Sequence, residues 1–351
     1  MENKTRISGI KLFFGINRSM RDELIKRVRG VGEADFDEVA MMVYFWQVQH
    51  NAVYRKYVDL LGRLDKMPAQ PSDIPFLPIS IFKSHQIRTG TWTPEFIFTS
   101  SGTTGKTTSR HAVRDVSWYD EICRRCFESV YGQLNDWIIL ALLPSYLERE
   151  GSSLVHMASH FIDHSAGAPS GFFLNDLERL SQLLSTCQKE GRPTLLIGVS
   201  FALLDLAERH PQNLSGITIM ETGGMKGRRR EMTRAELHEN LRKAFEVRYI
   251  HSEYGMTELL SQAYAPREGL FFPGPSMRVF PRQITDPLSP EAHGRTAALN
   301  IIDLANIDSC AFVATDDLGR CASDGSFEVL GRMDGSDIRG CNLMVANLKH
   351  S

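Results

Sequence analysis

No apolar run in this chain approaches membrane-spanning length, and residues 1–15 carry Lys and Arg around only a short apolar piece, Leu12 to Phe14. Neither a spanning helix nor a secretory leader is expected on that pattern, and the expectation is a cytoplasmic protein. Charge imbalance is also missing. Forty basic residues against 42 acidic ones leave a formal charge of -2, so nothing recruits a nucleic-acid backbone or an anionic membrane, and the expected partner is a small molecule or another protein. Cysteine is sparse and scattered: Cys123, Cys126, Cys187, Cys310, Cys321 and Cys341 are not spaced as a disulfide framework, which fits a reducing compartment. Cys123 and Cys126 form a C-x-x-C without a second pair or a strand-to-helix turn. They lie where Trp118, Ile122, Cys126 and Val130 recur at helical spacing, so they read as two packed helix cysteines. Internal repeats and low-complexity tracts are absent. What remains is a 351-residue chain, 42% hydrophobic and 23% charged, able to bury a core as one large domain or two.

Residues 18–62 read as helical, with apolar positions at Leu24, Val28, Phe36, Val39, Val43 and Trp46 and with Asp35 placed to cap the second helix. Residues 67–78 hold four of the fifteen prolines and are expected to be extended and free of helix. Short apolar runs then alternate with amphipathic segments. Strands are expected at 96–98, 137–143, 194–199, 217–220 and 247–251, and helices at 116–134, 175–190, 200–209 and 233–245. That order implies an α/β fold with a largely parallel sheet. Thr233 and Glu236 have the spacing of a capping box at the last of these helices. Beyond about residue 270, Gly, Pro and short β-like pieces at 277–280, 297–302, 311–315 and 327–330 mark a small, mainly β subdomain. The expected organisation is a helical cap and Pro-rich loop over 1–90, an α/β core over 91–270, and the β subdomain with its tail over 271–351.

The most informative stretch is Thr99, Ser100, Ser101, Gly102, Thr103, Thr104, Gly105, Lys106, Thr107, Thr108, directly after a predicted strand. Glycines let backbone amides approach phosphate oxygens, hydroxyls add donors, and Lys106 supplies positive charge. A solvated turn uses similar residues, but seven hydroxyls with two glycines and a lysine favour a nucleoside triphosphate. The Walker A loop requires a glycine five residues before Gly105, where this chain has Ser100, and no strand ends in a magnesium-binding Asp of the P-loop kind. Chemistry at the α-phosphate is therefore favoured over chemistry at the γ-phosphate.

The loop resembles the signature of the adenylate-forming superfamily, which includes acyl-CoA synthetases, luciferases and peptide-synthetase adenylation domains. Other segments resemble its motifs in the expected order. Glu221, Thr222, Gly223 and Gly224 resemble the strand end that packs against adenine. Tyr254, Gly255, Met256, Thr257 and Glu258 resemble Y-G-x-T-E, and the resemblance implies that Tyr254 stacks on adenine, Thr257 contacts the α-phosphate and Glu258 holds Mg2+. An aromatic face, a hydroxyl and a carboxylate within five residues can indeed address base, phosphate and metal together. Thr315, Asp316, Asp317, Leu318 and Gly319 resemble T-G-D-L-G, with Asp317 on the ribose hydroxyls and Asp316 where the family has Gly. Gly331, Arg332, Met333 and Asp334 resemble G-R-x-D, with Arg332 reaching the nucleotide. The implied fold is the adenylate-forming N-domain, with ATP and Mg2+ as cofactors.

Larger members continue past this hinge into a lid carrying a catalytic lysine, whereas this chain ends at Ser351 and departs from the pattern after Asp334. In that it resembles the acyl-protein synthetases (LuxE-like), as do the segment from Ile74 to His85, then Ser109, Arg110, Arg114 and Asp115, and the tail from Asp337 to Asn342. The resemblance implies activation of a carboxylic acid, of the fatty class, as acyl-AMP and transfer to a thiol. Cys341 would be the acylated cysteine, and an acyl reductase or carrier protein the acceptor. A guanidinium at Arg339 and freedom at Gly340 suit a carrier thiol, while a packed terminal cysteine is the plain alternative. His156, His160 and His164 share one helix face with ligand-like spacing, although an amphipathic helix explains them more simply. By analogy with the region that receives the carboxylate in related enzymes, His156 is expected at the acyl site. Arg228, Arg229 and Arg230 read as a solvated approach to a helix. Two other functions fit the same motifs: an acyl- or aryl-CoA ligase of the phenylacetate type, and a nucleotide-binding partner subunit without chemistry.

Overall fold

The computed structural model describes residues 17–100, 108–144, 151–223 and 232–333. The apolar spacing of the first sixty residues produces three helices, α1 (Asn17–Arg29), α2 (Phe36–His50) and α3 (Ala52–Leu60). Asn51 caps α3 by accepting from Tyr54 N. Asp35 does not cap α2, because its Oδ1 accepts instead from Gly32 N at 2.8 Å. The proline-rich stretch gives one short strand, β1 (Leu77–Pro78), before the four-residue helix α4 (Ile81–Ser84). It is not wholly free of helix, since Pro71–Asp73 closes a single 3₁₀ turn.

A hairpin follows, β2 (Phe96–Thr99) with β3 (Arg110–Val113), and it stands apart from the main sheet. The core then runs α5 (Val116–Tyr131), β4 (Ile138–Leu142), α6 (Ser153–Asp163), β5 (Gly171–Phe172), α7 (Leu177–Glu190), β6 (Thr194–Val199), α8 (Ser200–Arg209), β7 (Thr218–Thr222), α9 (Arg234–Phe245) and β8 (His251–Tyr254). Neighbouring strands in the order β5-β4-β6-β7-β8 are parallel. Every residue of β4 and β6 is buried, as expected for strands covered on both faces. The two covering layers can be read from β8, where His251 meets Tyr131 of α5 and the next residue, Ser252, meets His238 of α9. The capping box at Thr233 and Glu236 is formed in full.

Beyond β8 the sheet turns antiparallel through β9 (Ala263–Ala265), β10 (Leu270–Pro273), β11 (Met277–Arg282), β12 (Ala297–Asp303), β13 (Phe312–Cys321) and β14 (Phe327–Arg332). The β region is thus joined to the core, since β10 pairs with both β9 and β14, and the whole forms one twelve-stranded sheet. The helical cap docks on the turn between β12 and β13. Arg21 holds Asp308 through two bonds, Gln47 spans the Asn306 and Ala311 backbones, and Asn51 reaches Ser309 O. Among the described residues no helix is long and apolar enough to cross a membrane, and the five cysteines there are all free and buried.

Candidate nucleotide site

In open α/β sheets, ligands gather beyond the carboxyl ends of the parallel strands. Here β7 and β8 end side by side, with Thr222 opposite Glu253. Gly223 leaves β7 with φ +71, a conformation that suits glycine, and its carbonyl accepts from Ser200 Oγ at 2.6 Å. Tyr254 closes β8, and the turn that follows carries Thr257 and Glu258. Tyr254 donates its hydroxyl to Asp317 Oδ2 at 2.7 Å, and Arg332 Nε donates to Asp317 Oδ1 at 3.0 Å. Strand register explains the second contact, for Asp317 faces Arg332 across β13 and β14. The register slips immediately afterwards, between Leu318 and Gly319, and such bulges re-aim side chains. Gly319 is needed there, since a Cβ would collide with the Glu328 carbonyl and stand 2.9 Å from a Leu299 methyl. Asp316 is not among the residues with positive φ, so the position where the family has Gly tolerates a side chain here.

Asp317 is only 4% exposed, and Tyr254 and Arg332 use two of its lone-pair positions. The others can accept from a vicinal diol. Burial, with the Asp317 charge and hydrogen bond, pushes the Tyr254 hydroxyl well above its usual range. The ring packs against Phe271 and Phe327. Arg332 loses to burial but gains more from Asp317, so its guanidinium is held more firmly protonated than usual. Glu258 is buried, which raises its pKa, while a hydrogen bond from Ser109 and the Arg332 charge oppose that rise. Ser109 closes the stem of the hydroxyl-rich loop: its backbone N donates to Ser100 Oγ at 2.9 Å, and its carbonyl accepts from Ser100 N. The structure therefore brings Ser100, Tyr254, Glu258, Asp317 and Arg332 around one place, with Gly223 on the adjoining strand end. Ser101, Gly102, Thr103, Thr104, Gly105, Lys106, Gly224 and Cys341 lie outside the described residues, as do Arg228 to Arg230, Asp334 and the tail.

Thr257 is held by its backbone. Its carbonyl meets His111 Nδ1 at 2.8 Å, and the other ring nitrogen meets Ser309 Oγ. Burial lowers the His111 pKa to about 4, so the ring is neutral at pH 7. Asn306 donates to Glu258 O, and the buried carboxylate of Asp303 accepts from Leu260 N, Ser261 N and Ser261 Oγ. None of these supporting residues was expected from sequence. The only trace of Asp303, Asn306 and Ser309 is a run of Asp and Asn between apolar stretches, which also describes an ordinary turn.

His156 sits elsewhere, on α6, paired with Asp120 at 2.8 Å and ringed by Phe96, Phe98 and Tyr119. His160 stands 3.7 Å from the same carboxylate, and burial lowers its pKa. Among the described residues no group of three or more His, Cys, Asp or Glu side chains could hold a metal ion. Glu253 was also missed. Burial and the nearby Glu221 raise its pKa to about 7, against the Thr222 hydroxyl that donates to it. Glu221 pays for burial too, but His238 and Arg234 outweigh that and keep it ionised.

Solved structures of known proteins share this fold. A structure of 2-hydroxyisobutyryl-CoA ligase in the postadenylation state with 2-HIB-AMP superposes with a TM-score of 0.62 at 13% identity, over 88% of this chain and 70% of that one. An open conformation of the ligase with 2-HIB-AMP and CoA gives 0.59 at 13%, over 88% and 78%. The fold is that of acyl-CoA ligases. Apo MatB from Rhodopseudomonas palustris matches at 0.50 and 15% identity, over 69% of this chain, and the chain spans about half the length of the MatB structures it matches. No family model matches the sequence, and no curated protein matches it.

Proposed function

We propose that the protein activates a carboxylic acid with ATP and passes the acyl group to a thiol. The observation that carries this is the meeting of Tyr254, Asp317 and Arg332 beside Glu258 and the loop stem at Ser100. In this reading Asp317 accepts the ribose hydroxyls, Tyr254 positions that carboxylate and borders the adenine with Gly223 and Gly224, and Arg332 faces the nucleotide phosphates. The loop amides and hydroxyls from Ser100 to Gly105, with Lys106, cradle the triphosphate, and Thr257 contacts the α-phosphate. A carboxylate oxygen of the acid forms a bond to the α-phosphorus as the bond to pyrophosphate breaks, leaving acyl-AMP. A thiolate then attacks the acyl carbon and AMP departs. Rate comes from positioning and charge stabilisation. Glu258 fits Mg2+, being a hard oxygen donor whose ionisation burial disfavours and a cation would restore; one carboxylate plus substrate phosphates is a common magnesium site. Bound there, Mg2+ would offset the charge of the leaving pyrophosphate.

The acid is proposed to be fatty, with His156 lining its site, and the thiol to be Cys341 before a partner acyl reductase or carrier protein. Incubation with ATP, Mg2+ and labelled acid should leave hydroxylamine-sensitive label on the protein, and Cys341→Ser should lose label but keep pyrophosphate exchange. Label retained by that variant would overturn the role of Cys341. A second reading, supported by the likeness to CoA ligases, makes CoA the acceptor; acid-dependent CoA consumption without protein label would favour it.

A further inference from the structure

Away from the strand ends just described, a cavity of about 220 Å³ opens between the segment at 63–76 and the outer strands β11 and β12. Its apolar walls include Ile74, Phe76, Phe280 and Pro287. Two polar side chains on that lining have atoms with nothing to bond. Arg282 is 6% exposed and gives Nη2 to Thr315 O at 2.7 Å, yet its Nε is buried with no partner. Asn300 is 7% exposed and its Oδ1 is likewise unpartnered. A buried donor left without a partner is destabilising, and more so when it is charged. Burial weakens the hold of Arg282 on its proton, and Asp316 opposes this only from a distance.

Charge on the lining is Arg63 and Arg282 against Glu291, whose Oε1 is already taken by Ala292 N and Arg295. The balance is positive. An oxyanion would accept from Arg282 Nε, and the Asn300 amide, turned about its end, would present its NH2 to a second oxygen. The aromatic and proline walls call for an apolar body on that anion. An apolar cavity of about 150 Å³ holds benzene, so this one suits a molecule of about nine non-hydrogen atoms. We propose that this cavity is a second binding site, for a small organic carboxylate carrying an aromatic or branched apolar group. It shares no residue with the candidate nucleotide site.

The probe is 4-fluorobenzoate, titrated against the full chain by 19F NMR, with 4-fluorobenzamide as the uncharged control. We expect saturable binding of the carboxylate and none of the amide. Arg63→Gln and Asn300→Asp should each weaken binding at least tenfold, and Tyr254→Phe should leave it unchanged. Arg282→Met should abolish binding, and because it also removes the bond to Thr315, the other two variants keep the test clear of misfolding. Crystals soaked with 4-bromobenzoate should place the bromine in this cavity. Bromine found only elsewhere, or a titration unaltered in folded Arg63→Gln and Asn300→Asp, would overturn the proposal.

Discussion

Two side chains decide most at the residue scale. Asp317 is buried between a phenol and a guanidinium, and Asp317→Asn keeps the shape while removing the charge. We expect ATP to bind at least tenfold more weakly to that variant in equilibrium titration, a loss of about 1.4 kcal/mol or more. Unchanged affinity would remove Asp317 from the nucleotide. Glu253 bears on pH. Its folded pKa is about 7 against 4.5 for the free group, so the folded chain holds a proton that the unfolded chain gives up first. Stability from this group is present below pH 4.5 and lost as pH rises towards 7, by on the order of 3 kcal/mol at most. His111, lowered to about 4, works in the opposite direction: its contribution is lost as pH falls below 6.5. The two partly cancel in the native protein, so the difference between native and Glu253→Gln is the useful quantity. Denaturant unfolding should show the variant gaining relative stability between pH 5 and 7.5, and a flat difference would contradict the assignment.

Among the elements, the pairing of β13 with β14 carries the site. Gly319→Ala would press a methyl onto the Glu328 carbonyl and force the strands apart where Asp317 meets Arg332. We expect lower thermal stability and weaker ATP binding together. An alanine that costs neither would mean the strands close without glycine. At α9, Thr233→Ala removes a complete capping box and should cost about 1 kcal/mol by chemical denaturation. Asp35→Ala should cost α2 less, because no helix amide relies on that side chain. Sequence periodicity located α8 and β6 to the residue, since their apolar spacing matches their burial. It misplaced β8. Val247 and Ile250 are apolar and buried, yet they enter the core before the strand begins at His251, so hydrophobicity marked the approach rather than the pairing.

Over the whole molecule, the site residues that sequence named were those in short motifs. Tyr254 and Asp317 meet from 63 positions apart, one closing β8 and the other inside β13, and each stands in a recognisable short motif. Their supports were not legible: His111, Asp303 and Asn306 act through hydrogen bonds to residues distant in sequence, with Ser309 joining His111 to Asn306, and nothing in their spacing sets them apart from loop residues. The same holds for Arg282, whose burial follows from sheet packing. The measurement that bears most directly on the central claim is exchange of labelled pyrophosphate into ATP, run with Mg2+ across acids from acetate to long-chain fatty acids. We expect exchange that depends on one class of carboxylate and falls sharply in Lys106→Ala and Asp317→Asn. Tight ATP binding with no exchange for any acid would contradict adenylation and leave a nucleotide-binding subunit without chemistry.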